Sequence, residues 1–210
     1  MIRVLIADDH PIVRQGVIQI LSSTHDIVVA AEATSGRELM HQVAVTPCDI
    51  VLLDLTMPGS DGLDVLKQLR REAPQTPVLV LTMHSEDQFA VRSLRAGASG
   101  YLTKDSAPSE LVGAIRKIVA GGRYISPLMA ERLAAHLGPD AEQPLHERLS
   151  DREYQVLRLI AAGKSTREIA GALSLSIKTV STYRSRILEK MNFKSNADIT
   201  YYAVKNQLIA

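Results

Sequence analysis

Residues 4–16 read VLIADDHPIVRQG. An aliphatic run ends abruptly in two adjacent carboxylates, Asp8 and Asp9, and after Pro11 the pattern changes. Val13, Val17, Ile20 and Leu21 then recur at the three- and four-residue spacing of a helix face. The stretch therefore reads as a buried strand, a short acidic turn and an amphipathic helix. Two like charges side by side repel, and burial sharpens the repulsion. Either the pair is solvated, or something positive sits beside it.

The same alternation continues along the chain. Strands are expected at IRVLIA (2–7), IVVAA (27–31), IVLLD (50–54), VLVLT (78–82) and SGYLT (99–103). All but the last are near-continuous aliphatic runs, the signature of parallel strands covered on both faces. Helical periodicity falls between them, in Leu63, Leu66 and Leu69 and again in Leu111, Ile115, Ile118 and Val119. Five βα units in about 120 residues make a doubly wound α/β domain of parallel strands with right-handed crossovers. Such sheets bind ligands beyond the carboxyl ends of their strands.

Composition limits the rest. In 210 residues, 46% are hydrophobic but only 4% aromatic, with no Trp, so aliphatic side chains must fill the cores. No apolar run approaches the ~20 residues of a membrane span, so no membrane association is expected. The N-terminus lacks a signal-peptide pattern, its apolar stretch running into acids within seven residues. Cys48 is the only cysteine, which excludes an intrachain disulfide and a cysteine-rich zinc site. It reads as a small apolar residue, and a reducing cytoplasm is the expected location.

The net charge of +1 conceals an asymmetry. Residues 1–123 carry 12 Lys and Arg against 14 Asp and Glu, and residues 124–148 carry 2 against 4. Residues 149–210 carry 10 against 5, a surplus of five positive charges that marks this piece for a polyanionic partner. Between the two lies a segment (123–147) with one short helical pattern (Leu128, Leu133, Leu137) followed by Gly138, Pro139 and Pro144, read as a linker with a short helix. Beyond it no strand pattern appears. Helices are expected at about 151–161, 166–173, 177–191 and 196–206, with Ser150, Ser165, Ser176 and Ser195 as N-caps and Gly163 closing the first. Short helices, a tight turn and a longer polar helix form a helix-turn-helix pattern.

With strands one and three adjacent, Asp8, Asp9 and Asp54 meet in one crevice. Three carboxylates suit a hard divalent cation, with Mg²⁺ favoured. The fourth strand end supplies the Thr82 hydroxyl, and the fifth supplies Lys104, a cation able to reach a phosphoryl oxygen. Each residue alone has a plainer reading as solvated turn, helix cap or surface charge, and Tyr101 as core. Their joint placement at four strand ends is what carries the chemistry. His10 and His84 also lie near strand ends and read as solvated loop residues rather than ligands.

With Met57-Pro58-Gly59 and Gly62 following Asp54, this set resembles the receiver domain of two-component response regulators, over about residues 1–122. The resemblance implies a flavodoxin-like fold and Asp54 as acceptor of phosphate from a sensor histidine kinase or phosphotransfer protein. It implies Mg²⁺ held by the Asp9 and Asp54 side chains and the Thr56 carbonyl, with Asp8 acting through water. Lys104 would offset charge on the transferring phosphoryl group, Thr82 would hydrogen-bond it, and Tyr101 would move inward as a switch. The only chemistry implied is Mg²⁺-dependent self-phosphorylation from a phosphodonor and autodephosphorylation. A haloacid-dehalogenase-type phosphatase would want a second Asp where Thr56 stands, and neither GxxxxGK[ST] nor GxGxxG occurs.

In the C-terminal module, residues 148–210, the stretch 177–191 reads IKTVSTYRSRILEKM. Hydroxyls near its start and arginines further on suit a helix that enters the major groove. Together with Leu149-Ser150, Arg152-Glu153, Gly163, Ile169-Ala170 and Leu173, it resembles the LuxR-type helix-turn-helix of the NarL/FixJ response regulators. That likeness implies sequence-specific binding of double-stranded DNA as a homodimer formed on phosphorylation, and admits RNA polymerase as a further partner. By position in the helix, Ser181, Thr182 and Ser185 are assigned to base reading. Lys178, Thr179, Tyr183, Arg184 and Arg186 are assigned to phosphates. The rival reading is a constitutive DNA-binding protein whose first domain is only a dimerisation scaffold.

Overall fold

The computed structural model describes residues 1–57, 62–83, 87–126, 130, 144–173, 175–206 and 208–209. It divides the chain into two compact units, Met1–Ala135 and His136–Ala210. Pro58 and Gly59, His84, and the helix expected around Leu128, Leu133 and Leu137 lie outside the described residues.

Among the described residues of the first unit, five strands alternate with five helices: β1 (Ile2–Ala7), α1 (Pro11–Ser22), β2 (Ile27–Ala33), α2 (Gly36–Val45), β3 (Ile50–Leu53), α3 (Gly62–Glu72), β4 (Val78–Thr82), α4 (Asp87–Arg95), β5 (Gly100–Thr103) and α5 (Ala107–Val119). All strand pairings are parallel, in the order β2-β1-β3-β4-β5. The aliphatic runs explain this. Val4, Ile6, Ile50, Leu52, Leu79, Leu81 and Leu102 face one core together with Val17 and Leu21 of α1 and Leu111, Ile115 and Ile118 of α5. The alternate residues Leu5, Val51, Leu53 and Val80 are equally inaccessible, so both faces of the sheet are covered. Helix α1 packs on α5, while α3 packs on α2 and on α4. The chain reverses its direction of travel across the sheet between β1 and β3, which places a crevice at their carboxyl ends.

Glycine is demanded at one point beside that crevice. A Cβ on Gly62 would lie 2.5 Å from the carbonyl oxygen of Leu55, nearer than any side-chain atom can approach backbone. Helix α3 thus starts pressed against the residue that follows Asp54.

The second unit has a 3₁₀ turn (Leu145–Arg148), then α6 (Asp151–Ala161), α7 (Thr166–Ala172), α8 (Ile177–Met191) and α9 (Asn196–Lys205). All four expected serines cap helices. Ser150, Ser165 and Ser195 accept from the backbone N–H three residues on, and the acid at that position accepts in turn from the serine N–H. Ser176 accepts from Thr179 N–H. Gly163 adopts φ +78° after α6, and Asn192 takes the left-handed conformation that ends α8. The core is built from Tyr154, Val156, Leu157, Ile169, Val180, Ile187, Met191, Ile199 and Ala203. Helix α9 therefore completes a bundle in which α6 contacts α7, α8 and α9. In the 3₁₀ turn His146 is buried, with its Nδ1 2.8 Å from the Tyr202 hydroxyl.

Glu153 is a buried carboxylate, 2% exposed, in this small core. Lys190 Nζ reaches its Oε2 at 2.6 Å, and Ser150 N–H donates to the same atom at 2.8 Å. Burial pushes the Glu153 pKa up, but Lys190 and the Ser150 N–H outweigh it and hold the group below its ordinary value.

Candidate functional site

Asp8 and Asp54 each stand one step past a strand, and the sheet ladder continues through them. Asp8 N–H donates to Ala33 O at 3.0 Å, and Asp54 N–H donates to Ala7 O at 2.8 Å. Since Ala7 pairs with Leu53, the residues that follow each, Asp8 and Asp54, end side by side. Both are buried, each 2% exposed. Across the sheet, Thr82 closes β4 fully buried, and Lys104 follows β5 with its N–H donating to Thr82 O at 2.9 Å.

The Lys104 side chain reaches back over the sheet end. Its Nζ lies 2.7 Å from Asp54 Oδ2 and 2.8 Å from Asp8 Oδ2. Thr56 N–H donates to the other Asp54 oxygen at 3.0 Å, and His10 N–H donates to Asp8 Oδ1 at 2.8 Å. Burial pushes the Asp54 pKa up, and the neighbouring Asp8 charge adds to this against the pull of Lys104 and Thr56 N–H. For Lys104, burial alone would lower the pKa, but hydrogen bonds and charge from Asp54 and Asp8 raise it. The raised Lys104 pKa reflects two acids facing one ammonium, and a pocket of that charge favours added positive charge.

One oxygen makes that demand concrete. Asp9 Oδ1 is buried and accepts no hydrogen bond; His10 Nδ1 stands 2.9 Å away but outside hydrogen-bonding geometry. Ligand atoms of Asp8, Asp9, His10 and Asp54 all lie within 4.8 Å of one another. Three carboxylates against one ammonium leave a charge that a divalent cation would balance, and an all-oxygen acid set fits Mg²⁺.

Asp8, Asp9, Asp54, Thr56 and Lys104 thus come together, and Thr82 adjoins them through the β4–β5 ladder. Tyr101 sits on β5 at 2% exposure, so its ring already lies inside the domain rather than outside it. His10 is an exposed loop residue, as read, but it also turns toward the acids, with Nδ1 3.3 Å from Asp8 Oδ1 and 3.8 Å from Asp54 Oδ2. Its position two residues after Asp8 was the available signal, since a backbone turn onto the Asp8 carboxylate brings the ring with it.

In the second unit, α8 offers one outward polar face. Lys178, Ser181, Thr182, Ser185 and Arg186 are exposed, while Thr179, Tyr183 and Arg184 are half-buried. Thr182 and Ser185 donate their hydroxyl protons to carbonyls one turn back, Lys178 O at 3.0 Å and Ser181 O at 3.1 Å. Their oxygens remain available as acceptors. Arg184 Nε donates to Asn196 Oδ1 of α9 at 2.6 Å, which fixes the guanidinium at the edge of the helix rather than leaving it loose.

Comparison with known proteins agrees with both halves. Residues 4–116 match the response regulator receiver domain, and residues 147–203 match the bacterial regulatory proteins of the luxR family. The chain is 36% identical to the response regulator UvrY of Escherichia coli (strain K12) over 209 residues, 99% of this chain and 96% of UvrY. It is 40% identical to the response regulator GacA of Pseudomonas protegens over 210 residues, 100% of this chain and 98% of GacA. A solved structure of RcsB from Salmonella enterica serovar Typhimurium, bound to promoter rprA in the presence of the phosphomimetic BeF3-, superposes with a TM-score of 0.71. It is 29% identical, over 96% of this chain and 97% of that one. An acid-and-lysine pocket at the end of a five-stranded parallel sheet, followed by a LuxR-type helix-turn-helix, places this chain among the NarL/FixJ-family two-component response regulators, which act as DNA-binding transcriptional regulators.

Proposed function

We propose that Asp54 is the phosphoacceptor and that its phosphorylation controls DNA binding by α8. The observation that carries this is the Lys104 ammonium bridging Asp54 and Asp8 at 2.7 and 2.8 Å at the reversal point of the sheet. In the transfer, an Asp54 carboxylate oxygen attacks phosphorus, the bond from phosphorus to the donor breaks, and the donor leaves. The donor is a phosphohistidine of a sensor kinase or phosphotransfer protein, or a small phosphodonor. Asp54 and Asp9 would hold Mg²⁺ by their side chains, Thr56 by its carbonyl and Asp8 through water. The ion, when bound, screens negative charge on the phosphoryl oxygens. Lys104 is positioned to take over a phosphoryl oxygen as it arrives. Thr82, at the next strand end, hydrogen-bonds the product, and Tyr101 packs behind it. Hydrolysis of the aspartyl phosphate resets the domain, so the chain catalyses only its own phosphorylation and dephosphorylation.

The added charge of about −1.5 to −2 shifts a pre-existing equilibrium toward the dimerising state. In the second domain Ser181, Thr182 and Ser185 read bases, while Lys178, Thr179, Tyr183, Arg184 and Arg186 hold phosphates. RcsB, whose solved complexes include dimers on DNA, supports this mode of action. The proposed boundaries are a receiver over residues 1–122, a linker over 123–147 and the DNA-binding domain over 148–210, in a cytoplasmic protein for which RNA polymerase is a further candidate partner. The test is Asp54→Asn with radiolabelled acetyl phosphate. Labelling should vanish, and stoichiometric label on the variant would assign another acceptor.

A further inference from the structure

Helix α8 carries one feature that its polar reading face leaves unexplained. Ile177, its first residue, is 53% exposed, whereas Val180, Ile187 and Met191 of the same helix are 0–1% exposed. It is the one large aliphatic side chain of α8 that stands more than half in water. Residue 177 lies one turn before Ser181, so both occupy the same face of the helix. Ser176 and Thr179, on either side of it in the first turn, hold each other at 2.7 Å in the cap and leave the isoleucine outside that network. In helix-turn-helix proteins the first residues of the second helix meet base edges. The apolar group that the major groove presents there is the C5-methyl of thymine.

We infer that Ile177 packs on a thymine methyl and fixes an A·T pair at one position of each half-site. The inference rests on α8 being the groove-reading helix. Contact removes both the methyl and the isoleucine from water. Neither a cytosine nor a uracil edge offers that partner.

The experiment uses the full-length chain with acetyl phosphate. High-affinity duplexes are selected from a random pool, and each thymine is then replaced in turn by deoxyuracil, which removes only the methyl. Wild type should lose about fourfold in affinity at one position per half-site, the worth of one buried methyl. Ile177→Ser, its fold checked by circular dichroism, should bind the thymine duplex more weakly by a similar factor and no longer distinguish thymine from deoxyuracil there. Ile177→Val should keep the distinction. Unchanged wild-type binding at every replaced thymine would overturn the inference. So would an Ile177→Ser protein that binds less tightly yet still loses fourfold on deoxyuracil. Selection that enriches no sequence at all would instead sink the assignment of α8 as the reading helix.

Discussion

The Lys104 ammonium and the Asp54 carboxylate meet at 2.7 Å although 50 residues separate them in the chain. β4 lies between their strands, so the lysine must span one strand to make the contact. Its side chain is 5% exposed, and Asp8 is its second anchor. Lys104 therefore offsets two buried acids and also stands where transferred charge would arrive.

Replacing it separates these duties. Lys104→Met keeps the aliphatic stem and removes the charge, leaving Asp8, Asp9 and Asp54 without an internal cation. Labelling of Asp54 by acetyl phosphate should slow by roughly 10²-fold, the cost of losing one preorganised charge donor. The pocket becomes more negative, so magnesium should raise the melting temperature of the variant more than that of wild type. Scanning calorimetry with and without MgCl₂ reads this. Equal shifts would mean that Lys104 and the cation do not share a field.

Gly62 offers a second test, since its constraint is steric. An added Cβ falls on the backbone of Leu55, next to Asp54. Gly62→Ala must move either the start of α3 or the loop that carries Thr56. We expect a stability loss of about 1–3 kcal/mol, in the range of overpacking, and weaker magnesium binding by titration calorimetry. A variant with wild-type magnesium affinity would show that the loop after Asp54 yields without disturbing the acids.

Much of this arrangement is legible in the sequence. Strands β1 and β4 fall on the expected residues, because aliphatic runs covered on both faces admit little else. Strand β2 runs on to Ala33, past the expected end at Ala31. It lies at the sheet edge, where polar Glu32 can still pair with Ile6. What the sequence hid is contact between distant residues. The turn of His10 onto the acids depends on the ladder continuing through Asp8. Lys190 and Glu153 lie 37 residues apart, and Arg184 and Asn196 lie on different helices. No periodicity encodes a partner across a bundle.

The Glu153–Lys190 pair should make the helical domain sensitive to acid. The folded pKa of Glu153 lies below its ordinary value of 4.5. Its stabilisation is therefore complete above that pH and is lost as pH falls through the folded pKa. Lys190→Met removes the cation while burial still acts on the acid, so the carboxyl pKa should rise and neutral-pH stability should fall. Lys190 is itself 41% exposed, which limits the loss to about 1–3 kcal/mol. Hydrogen exchange resolved to α6 and α8 between pH 3 and 7 should show protection that falls with acid in wild type and is already reduced at pH 7 in the variant. Unchanged protection would assign the buried acid's stability to its cap on Ser150 alone.

Arg184 and Thr182 test how the duties divide along α8. The Arg184 guanidinium is tethered to Asn196 at 2.6 Å, at the flank of the helix, where phosphates rather than bases pass. Arg184→Ala should weaken binding to cognate and random duplexes by the same factor and reduce the salt slope by about one. Asn196→Ala leaves the charge but frees the side chain, so it should cost less than Arg184→Ala and leave the salt slope in place. Thr182 stands exposed on the outward face with an acceptor oxygen to spare. Thr182→Ala should relax preference at one base position, a difference of about 1–3 kcal/mol between the best and next base, with the salt slope unchanged. Electrophoretic mobility shifts across a salt series, on cognate and scrambled duplexes, separate the two patterns. A sequence-selective loss for Arg184→Ala would move that residue from the phosphates to the bases and reverse the division, because a tether that holds a cation against the backbone cannot also present it to a base edge.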